Sequence, residues 1–188
     1  MLAQPFESQN DYVPVQKKRT VKDNIKLLFS VRALAINIAV LTLVWSTASF
    51  SFYFISFYEA VIPVENVFLL AIMIGIGDIF SALIFIVIGT RFPIKNSMVI
   101  ACVILIGGSL GIWLIILILR VDDPSQISEG VSILLTLLVF ITRIGAHVLF
   151  VLAYFATSIL SPPEIQATAY AFTNTICRGM TILAPFIS

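Results

Sequence analysis

The sequence predicts an all-α membrane protein, a polytopic bundle that crosses a bilayer about five times. Of its 188 residues, 60% are hydrophobic and only 11% are charged, less than half the roughly 25% usual for soluble domains. A soluble domain of this size could not bury so much apolar surface, whereas lipid accepts it. In addition, the stretch from Ala33 to Tyr58 contains no Asp, Glu, Lys, Arg or His. A helix that is apolar on every face over this length is typical of a membrane span.

Five apolar segments are each long enough for a helix to cross the hydrocarbon, which takes about 20 residues. Short connections with turn residues such as Pro63 and Pro93 separate them, so successive helices are expected to be antiparallel neighbours. Pro185 is expected to kink or end the last segment, because proline cannot continue the hydrogen bonding of a helix. The predicted spans are about 33–57, 67–89, 97–119, 131–160 and 167–187.

Residues 1–32 form a basic segment ahead of these spans. Six of the eleven Lys and Arg lie between Lys17 and Arg32, and residues 21–32 could form a short amphipathic helix on the membrane surface. A general attraction of this flank to the membrane is a simpler interpretation than recognition of a particular lipid. No apolar signal sequence follows Met1, so the first span is expected to act as its own insertion signal.

Basic residues predict the orientation of the chain, because Lys and Arg favour the cytosolic side of a membrane. Beyond the N-terminal flank, Arg91 and Lys95 lie in the second connection, and alternation of the spans puts both basic segments on one side. The N-terminus, the 90–96 loop and the 161–166 loop are therefore predicted to be cytosolic. We favour the plasma membrane over an organelle.

Motifs that the sequence lacks argue against several other classes of function. Cys102 and Cys177 lie in apolar runs without CxxC or Cys/His spacing, which argues against a metal site and a disulfide framework. The sequence has no phosphate-binding loop, no HExxH or GxSxG motif and no carboxylate pair suited to acid–base catalysis. We therefore expect no enzyme, no cofactor and no nucleic-acid surface. The composition predicts the lipid bilayer as a partner of the chain.

Four ionisable side chains lie within the predicted spans: Asp78, Arg143, His147 and Arg178. An Asp or Arg at the membrane centre costs about 2.5–3.5 kcal/mol on insertion scales, so such groups usually face a bundle interior, a partner charge or a water-filled path. Arg143 and His147 are four residues apart and therefore share a helix face. Tyr154 lies on roughly the same stripe.

Asn174 and Arg178 share a face of the fifth segment in the same way. Asp78 is the single acid within the spans, so it is the expected partner of Arg143 or Arg178. Such a pair could join two helices or contact a substrate, and one arginine would remain to bind an anion. His147 is more simply explained as a hydrogen-bonded interior residue than as a proton carrier. The candidate substrate-binding residues are Arg178, Arg143, His147, Asp78, Asn174 and Tyr154.

Several glycines lie where two helices could approach closely, because glycine leaves no side chain between them. Gly107 and Gly111 match the GxxxG spacing, and the spans also contain Gly75, Gly77, Gly108 and Gly145. We expect these positions to lie at helix contacts.

Residues 161–185 (SPPEIQATAYAFTNTICRGMTILAP) resemble the segment that joins the tenth and eleventh helices of major facilitator superfamily transporters. The resemblance is strongest to the organic cation/anion branch of that family. Arg143-Ile144-Gly145 resembles a motif of that branch's tenth helix, and Asp78 aligns with an acidic residue of its eighth. The stretch from Trp45 to Tyr53 resembles its seventh helix. The residues that match the pattern of the segment between the tenth and eleventh helices are Leu160, Pro162, Arg178, Ala184 and Pro185.

The resemblance implies that the chain corresponds to helices seven to eleven, in the C-terminal half of a major facilitator fold. Such carriers work by alternating access and bind substrate between two six-helix halves. The position of Arg178 tends to be Arg in anion carriers and acidic in cation carriers of that branch. The resemblance therefore implies transport of small organic ions, with anions favoured. The partners would be this substrate and the missing N-terminal half or other membrane subunits.

The sequence also departs from the family's pattern. Its 90–96 loop, with Arg91 and Lys95, corresponds to a gating loop that usually reads like DRxGRR, but the Asp and Gly are replaced. The N-terminal half and the twelfth helix are expected to be missing. These departures leave open a non-transporting membrane subunit, or a pseudo-transporter with a role in assembly. A small channel-forming oligomer is a third interpretation, although no repeated pore motif is present.

Overall fold

The computed structural model describes residues 20–58, 66–119 and 128–187, and every regular element in these ranges is a helix. The predicted all-α bundle is therefore confirmed. The basic flank before Thr20 and most of the acidic connections, 59–65 and 120–127, lie outside the described residues. The helices are α1 (Val21–Ser30), α2 (Arg32–Tyr58), α3 (Val67–Arg91), α4 (Ile94–Leu119), α5 (Glu129–Leu160), α6 (Gln166–Thr181) and the single turn α7 (Ala184–Ile187).

Four of these helices, α2 to α5, are long and apolar enough to cross a membrane. Only 17% of the most apolar stretch of α3, and the same share of α4, is buried inside the bundle. Large apolar side chains cover the remaining surface of both helices, as lipid contact requires. Examples on α3 and α4 are Phe68, Ile79, Leu83, Val103, Ile106 and Leu110.

The fifth predicted span, 167–187, is not one continuous helix. Its helix α6 ends at Thr181, and the chain passes through Ile182 and Leu183 before the short turn α7. Proline has no N–H and its ring clashes with the carbonyl four residues earlier, and for Pro185 that residue is Thr181. The break in this segment is the effect expected of Pro185.

The predicted 90–96 loop is also shorter than expected. Helix α3 continues to Arg91 and helix α4 begins at Ile94, so only Phe92 and Pro93 lie between them. The residue before a proline is restricted to extended backbone, and Phe92 adopts φ −122° and ψ 150°. Arg91 and Lys95 consequently lie in the terminal turns of two helices, not in a loop.

Helix α5 is the centre of the bundle, with 56% of its most apolar stretch buried. Helices α2, α3 and α4 all pack against it, whereas α6 packs mainly along α2. Paired contacts show that α2 and α6 run side by side in the same direction: the Cys177 thiol lies against the Trp45 carbonyl, and one turn further the Ser49 hydroxyl is 2.8 Å from the Thr181 hydroxyl.

Glycines allow α4 and α5 to touch backbone to backbone. A Cβ atom at Gly145 would lie 2.7 Å from the Leu105 backbone nitrogen, and one at Gly108 would lie 3.2 Å from the Thr142 Cα. Gly111 also faces α5, but a Cβ atom at Gly107 would meet nothing within 4 Å. The predicted close approach is therefore present at Gly77, Gly108, Gly111 and Gly145, whereas a Cβ atom at Gly75 or Gly107 would meet nothing within 4 Å.

This contact predicts different outcomes for two Gly→Ala substitutions. Gly145→Ala should lower the free energy of unfolding by about 1–3 kcal/mol, because the neighbouring Leu105 backbone cannot rotate away. The matched control Gly107→Ala should leave stability unchanged or raise it slightly, since alanine favours helix. Thermal unfolding of the detergent-solubilised variants measures both effects, and equal melting temperatures would contradict this account of the α4–α5 contact.

Candidate functional site

An ionic cluster lies where α3 and α5 meet. The Arg143 guanidinium donates two hydrogen bonds to the Asp78 carboxylate, from Nε to Oδ1 at 3.0 Å and from Nη2 to Oδ2 at 3.2 Å. The His147 Nδ1 atom lies 3.1 Å from the same Oδ1 atom. Of the two arginines predicted as partners of Asp78, the structure therefore selects Arg143 and adds His147.

Helix α2 supplies the remaining contacts of Arg143. Its Nη1 atom donates to the Phe52 carbonyl at 2.8 Å and to the Ser56 hydroxyl at 2.6 Å. The Phe52 ring lies under the guanidinium, with the central carbon 3.5 Å from the ring centroid, a distance at which cation–π attraction is effective. All three guanidinium nitrogens thus have partners, and Arg143 is only 5% exposed.

The partners around Arg143 indicate what this cluster can do. Four of the five guanidinium N–H groups donate to protein acceptors, so most of the binding capacity of this buried arginine is used within the bundle. Its partners come from α2, α3 and α5, so the cluster ties three helices together. Asp78 and His147 each keep roughly a third of the side chain exposed, at 32% and 28%. Asp78 and His147 are therefore the more accessible members of the cluster.

Arg178 of α6 has a different environment. Its Nη1 atom donates to the Tyr53 hydroxyl at 2.9 Å, and its guanidinium carbon lies 5.9 Å from the Tyr53 ring centroid. The side chain is exposed, and within residues 20–58, 66–119 and 128–187 no carboxylate pairs with it. This arginine can therefore accept an anion without giving up an existing ion pair.

Aromatic side chains continue the surface beside Arg178. The rings of Trp45 and Tyr154 lie 4.0 Å apart, and Tyr170 lies 6.0 Å from Tyr154. The Tyr170 hydroxyl donates to the Tyr154 backbone carbonyl at 2.7 Å, and the Trp45 indole donates to the Thr157 hydroxyl at 3.1 Å. These bonds fix the buried Trp45 and orient the Tyr170 ring, and the exposed Tyr154 ring packs beside both.

Asn174 lies one helical turn before Arg178 and is half-buried. Its side-chain oxygen is buried and has no hydrogen-bond partner among the described residues. Because an unpaired buried acceptor costs free energy, such groups in proteins usually have another partner or a functional explanation. The predicted shared face of Asn174 and Arg178 therefore carries one unpaired acceptor and one available cation.

The two basic residues of the predicted gating loop lie apart from the ionic cluster and from Arg178. Arg91 and Lys95 are exposed at the α3–α4 junction, and neither has an ion-pair partner in the part of the chain that the structure describes. Nearby, the Ser97 hydroxyl lies 3.3 Å from the Ile88 carbonyl and holds the junction together. No group of three His, Cys, Asp or Glu side chains among the described residues could hold a metal ion.

Sequence reasoning missed the α2 residues of the site. Phe52 and Ser56 hold Arg143, whereas Tyr53 holds Arg178. Trp45, Phe52 and Ser56 recur at helical spacing in a span without charges, which predicts a shared helix face. Apolar and weakly polar residues of this kind are common in membrane helices, so the pattern alone does not identify partners for arginine.

The ionic cluster predicts a strong coupling between its two charges. Asp78→Ala should cost about 3–5 kcal/mol of stability, because Arg143 would remain buried without a counter-charge. The double variant Asp78→Ala/Arg143→Met should recover much of that loss. His147→Gln should cost less, since the Arg143–Asp78 pair remains. Unfolding of the detergent-solubilised variants by added SDS measures these differences, and additive losses in the double variant would argue against the coupling.

Comparison with known proteins places the chain in a family. A family model described as the Major Facilitator Superfamily matches residues 3–185. No curated protein and no solved structure matches the chain. The matched region includes all helices from α1 to α6, with both arginine sites, and members of this family are membrane transporters. The chain, an integral multi-pass membrane protein, belongs to the Major Facilitator Superfamily.

Proposed function

We propose that this chain is part of a transporter that moves small organic anions across a membrane by alternating access. Within the family, we assign it to the organic cation/anion branch and to helices seven to eleven of the C-terminal half. The observation that carries the anion proposal is Arg178, an exposed arginine on α6 with no carboxylate partner among the described residues.

The contrast between the two arginines supports this assignment. Arg143 is buried and its charge is balanced by Asp78, so it can be explained by the architecture of the bundle alone. Among the residues that the structure describes, the hydrogen-bond partner of Arg178 is a neutral hydroxyl, that of Tyr53. A cation at membrane depth is costly unless it meets an anion or water. An organic anion that enters from water would supply the missing charge.

The surroundings of Arg178 suit the organic part of such an anion. Tyr154 of α5 presents its ring near the Arg178 guanidinium. Tyr53 lies on α2, and Tyr170 lies on α6 itself. Aromatic faces give apolar contact area with little loss of conformational freedom, while a guanidinium can bind a carboxylate through two parallel hydrogen bonds. A small carboxylate with a flat apolar body matches both features.

Alternating access requires one part of a carrier to move relative to another. The cluster around Arg143 joins α2, α3 and α5, whereas α6 is held mainly by α2. The unpaired oxygen of Asn174 also lies on α6. In our proposal this oxygen, which only accepts hydrogen bonds, acquires a donor when α6 takes a different position. The partner subunit or segment would be the N-terminal half of the fold, and the N-terminus would be cytosolic in the plasma membrane.

The role of Arg178 can be tested by ligand binding to the full chain in lipid nanodiscs. Radiolabelled benzoate should bind to the parent chain, and Arg178→Ala should weaken binding at least tenfold, since a hydrogen bond to a charged group contributes about 1.5–3 kcal/mol. Arg178→Lys should retain part of the affinity. Arg178→Glu should lose benzoate binding and favour tetraethylammonium.

A matched control separates this effect from a general loss of positive charge. Lys95→Ala, at the exposed α3–α4 junction, should bind benzoate like the parent chain. Benzoate binding that is equal in all variants would refute the role of Arg178. Binding without uptake into vesicles, also when the other half of the fold is supplied, would favour a non-transporting subunit.

A further inference from the structure

Helix α1 lies across the N-terminal ends of α2 and α6. A straight continuation of α1 into α2 would put Leu28 and Ile38 about 15 Å apart at 1.5 Å per residue. Instead, both side chains belong to one buried cluster with Ile165 and Ala169. The chain therefore turns at Val31, which has an extended backbone conformation, and α1 folds back over the bundle.

Specific contacts hold α1 in this position. The Asn24 amide donates to the Thr168 hydroxyl of α6 at 3.4 Å, and the rings of Phe29 and Phe172 meet edge to face with centroids 5.4 Å apart. Leu28 is fully buried. One side of α1 is thus committed to the protein, and the other sides are available for other partners.

The exposed surface of α1 is divided into an apolar stripe and a basic stripe. Val21, Ile25 and Phe29 follow one another at four-residue spacing and are 66%, 39% and 49% exposed. At 100° per residue they cover an arc next to Leu28. The basic stripe, Lys22 and Lys26, comes next around the helix, followed by the polar Ser30 and Asp23. Around the axis of α1, the side that contacts the protein is therefore followed by the apolar stripe, the basic stripe and the polar residues.

We propose that α1 is an interfacial helix that docks on an anionic membrane leaflet. Its apolar stripe would enter the acyl boundary, where large apolar side chains are stable, and its lysines would lie at the level of the headgroups. Charge complementarity favours anionic lipid over zwitterionic lipid, because Lys22 and Lys26 flank the stripe on one side and the exposed Arg32 follows α1 in the chain. The location also fits, since α2 enters the membrane immediately after α1.

The alternative occupants of the apolar stripe fit these observations less well. Water would leave three neighbouring large apolar side chains hydrated. A second copy of this chain would bring Lys22 and Lys26 close to their own counterparts, and like charges repel. Anionic lipid removes both difficulties. Because α1 contacts Thr168 and Phe172, a docked α1 would also fix the end of α6 relative to the leaflet.

Spin labels on the full chain test the predicted depth of α1 in vesicles. Labels are attached at Ile25→Cys and at Ser30→Cys, with Cys102 and Cys177 replaced by alanine and the fold checked by thermal unfolding. In mixed phosphatidylcholine–phosphatidylglycerol vesicles, the label at residue 25 should collide more with oxygen than with a water-soluble nickel chelate. The label at residue 30 should show the reverse. Water-like exposure of both labels, or spin–spin broadening between copies at residue 25, would overturn the proposal.

Lipid selectivity tests the role of the two lysines. The variant Lys22→Gln/Lys26→Gln should lose roughly tenfold or more of the preference for phosphatidylglycerol over phosphatidylcholine, because each lysine near an anionic surface contributes to binding. Lys95→Gln, which removes an exposed lysine from the α3–α4 junction, should change this preference little. An equal preference in the double variant and the parent chain would refute the electrostatic part of the proposal.

Discussion

The arrangement of the central helices depends on the ion pair between Asp78 and Arg143. An arginine at the centre of a membrane bundle has to satisfy its donors within the protein, because lipid offers no acceptor. Here the carboxylate of α3 accepts from two donors, and the Phe52 carbonyl and Ser56 hydroxyl of α2 accept from two more. Because a missing partner would leave a charge exposed to hydrocarbon, the pair restricts how α2, α3 and α5 can be placed. The apolar surfaces of these helices could slide past one another, but the directional bonds at Arg143 allow one register.

The rest of the bundle follows from a different constraint, the absence of a hydrophobic force between helices that are already in lipid. Close packing then decides which surfaces meet. Helix α4 meets α5 at Gly108 and Gly145, where no side chain separates the two backbones. The lipid-facing sides of α3 and α4 carry large apolar side chains without a protein partner. A few polar contacts and several small residues therefore hold these helices together.

Hydrophobicity predicts most of the fold because a span is defined by its length and its lack of charge, both of which are visible in the sequence. Pro185 predicts that α6 is broken, but the final helical residue, Thr181, is visible only in the structure. Within the site, the single acid of the spans predicts that Asp78 pairs with an arginine, whereas the choice of Arg143 over Arg178 depends on tertiary packing. The contacts of Tyr53 and Phe52 were not predictable, because any apolar span contains aromatic residues and only the tertiary packing of α2 selects these two. The substrate role of Arg178 stays a prediction.

The neighbouring positions of Phe52 and Tyr53 on α2 have a mechanical consequence. One residue holds the guanidinium of α5 through its carbonyl and ring, and the next holds the guanidinium of α6 through its hydroxyl. A single turn of α2 therefore contacts both arginines. Rotation of that turn about the helix axis would change the contacts of both arginines together. A displacement of one arginine would therefore alter the position of the other.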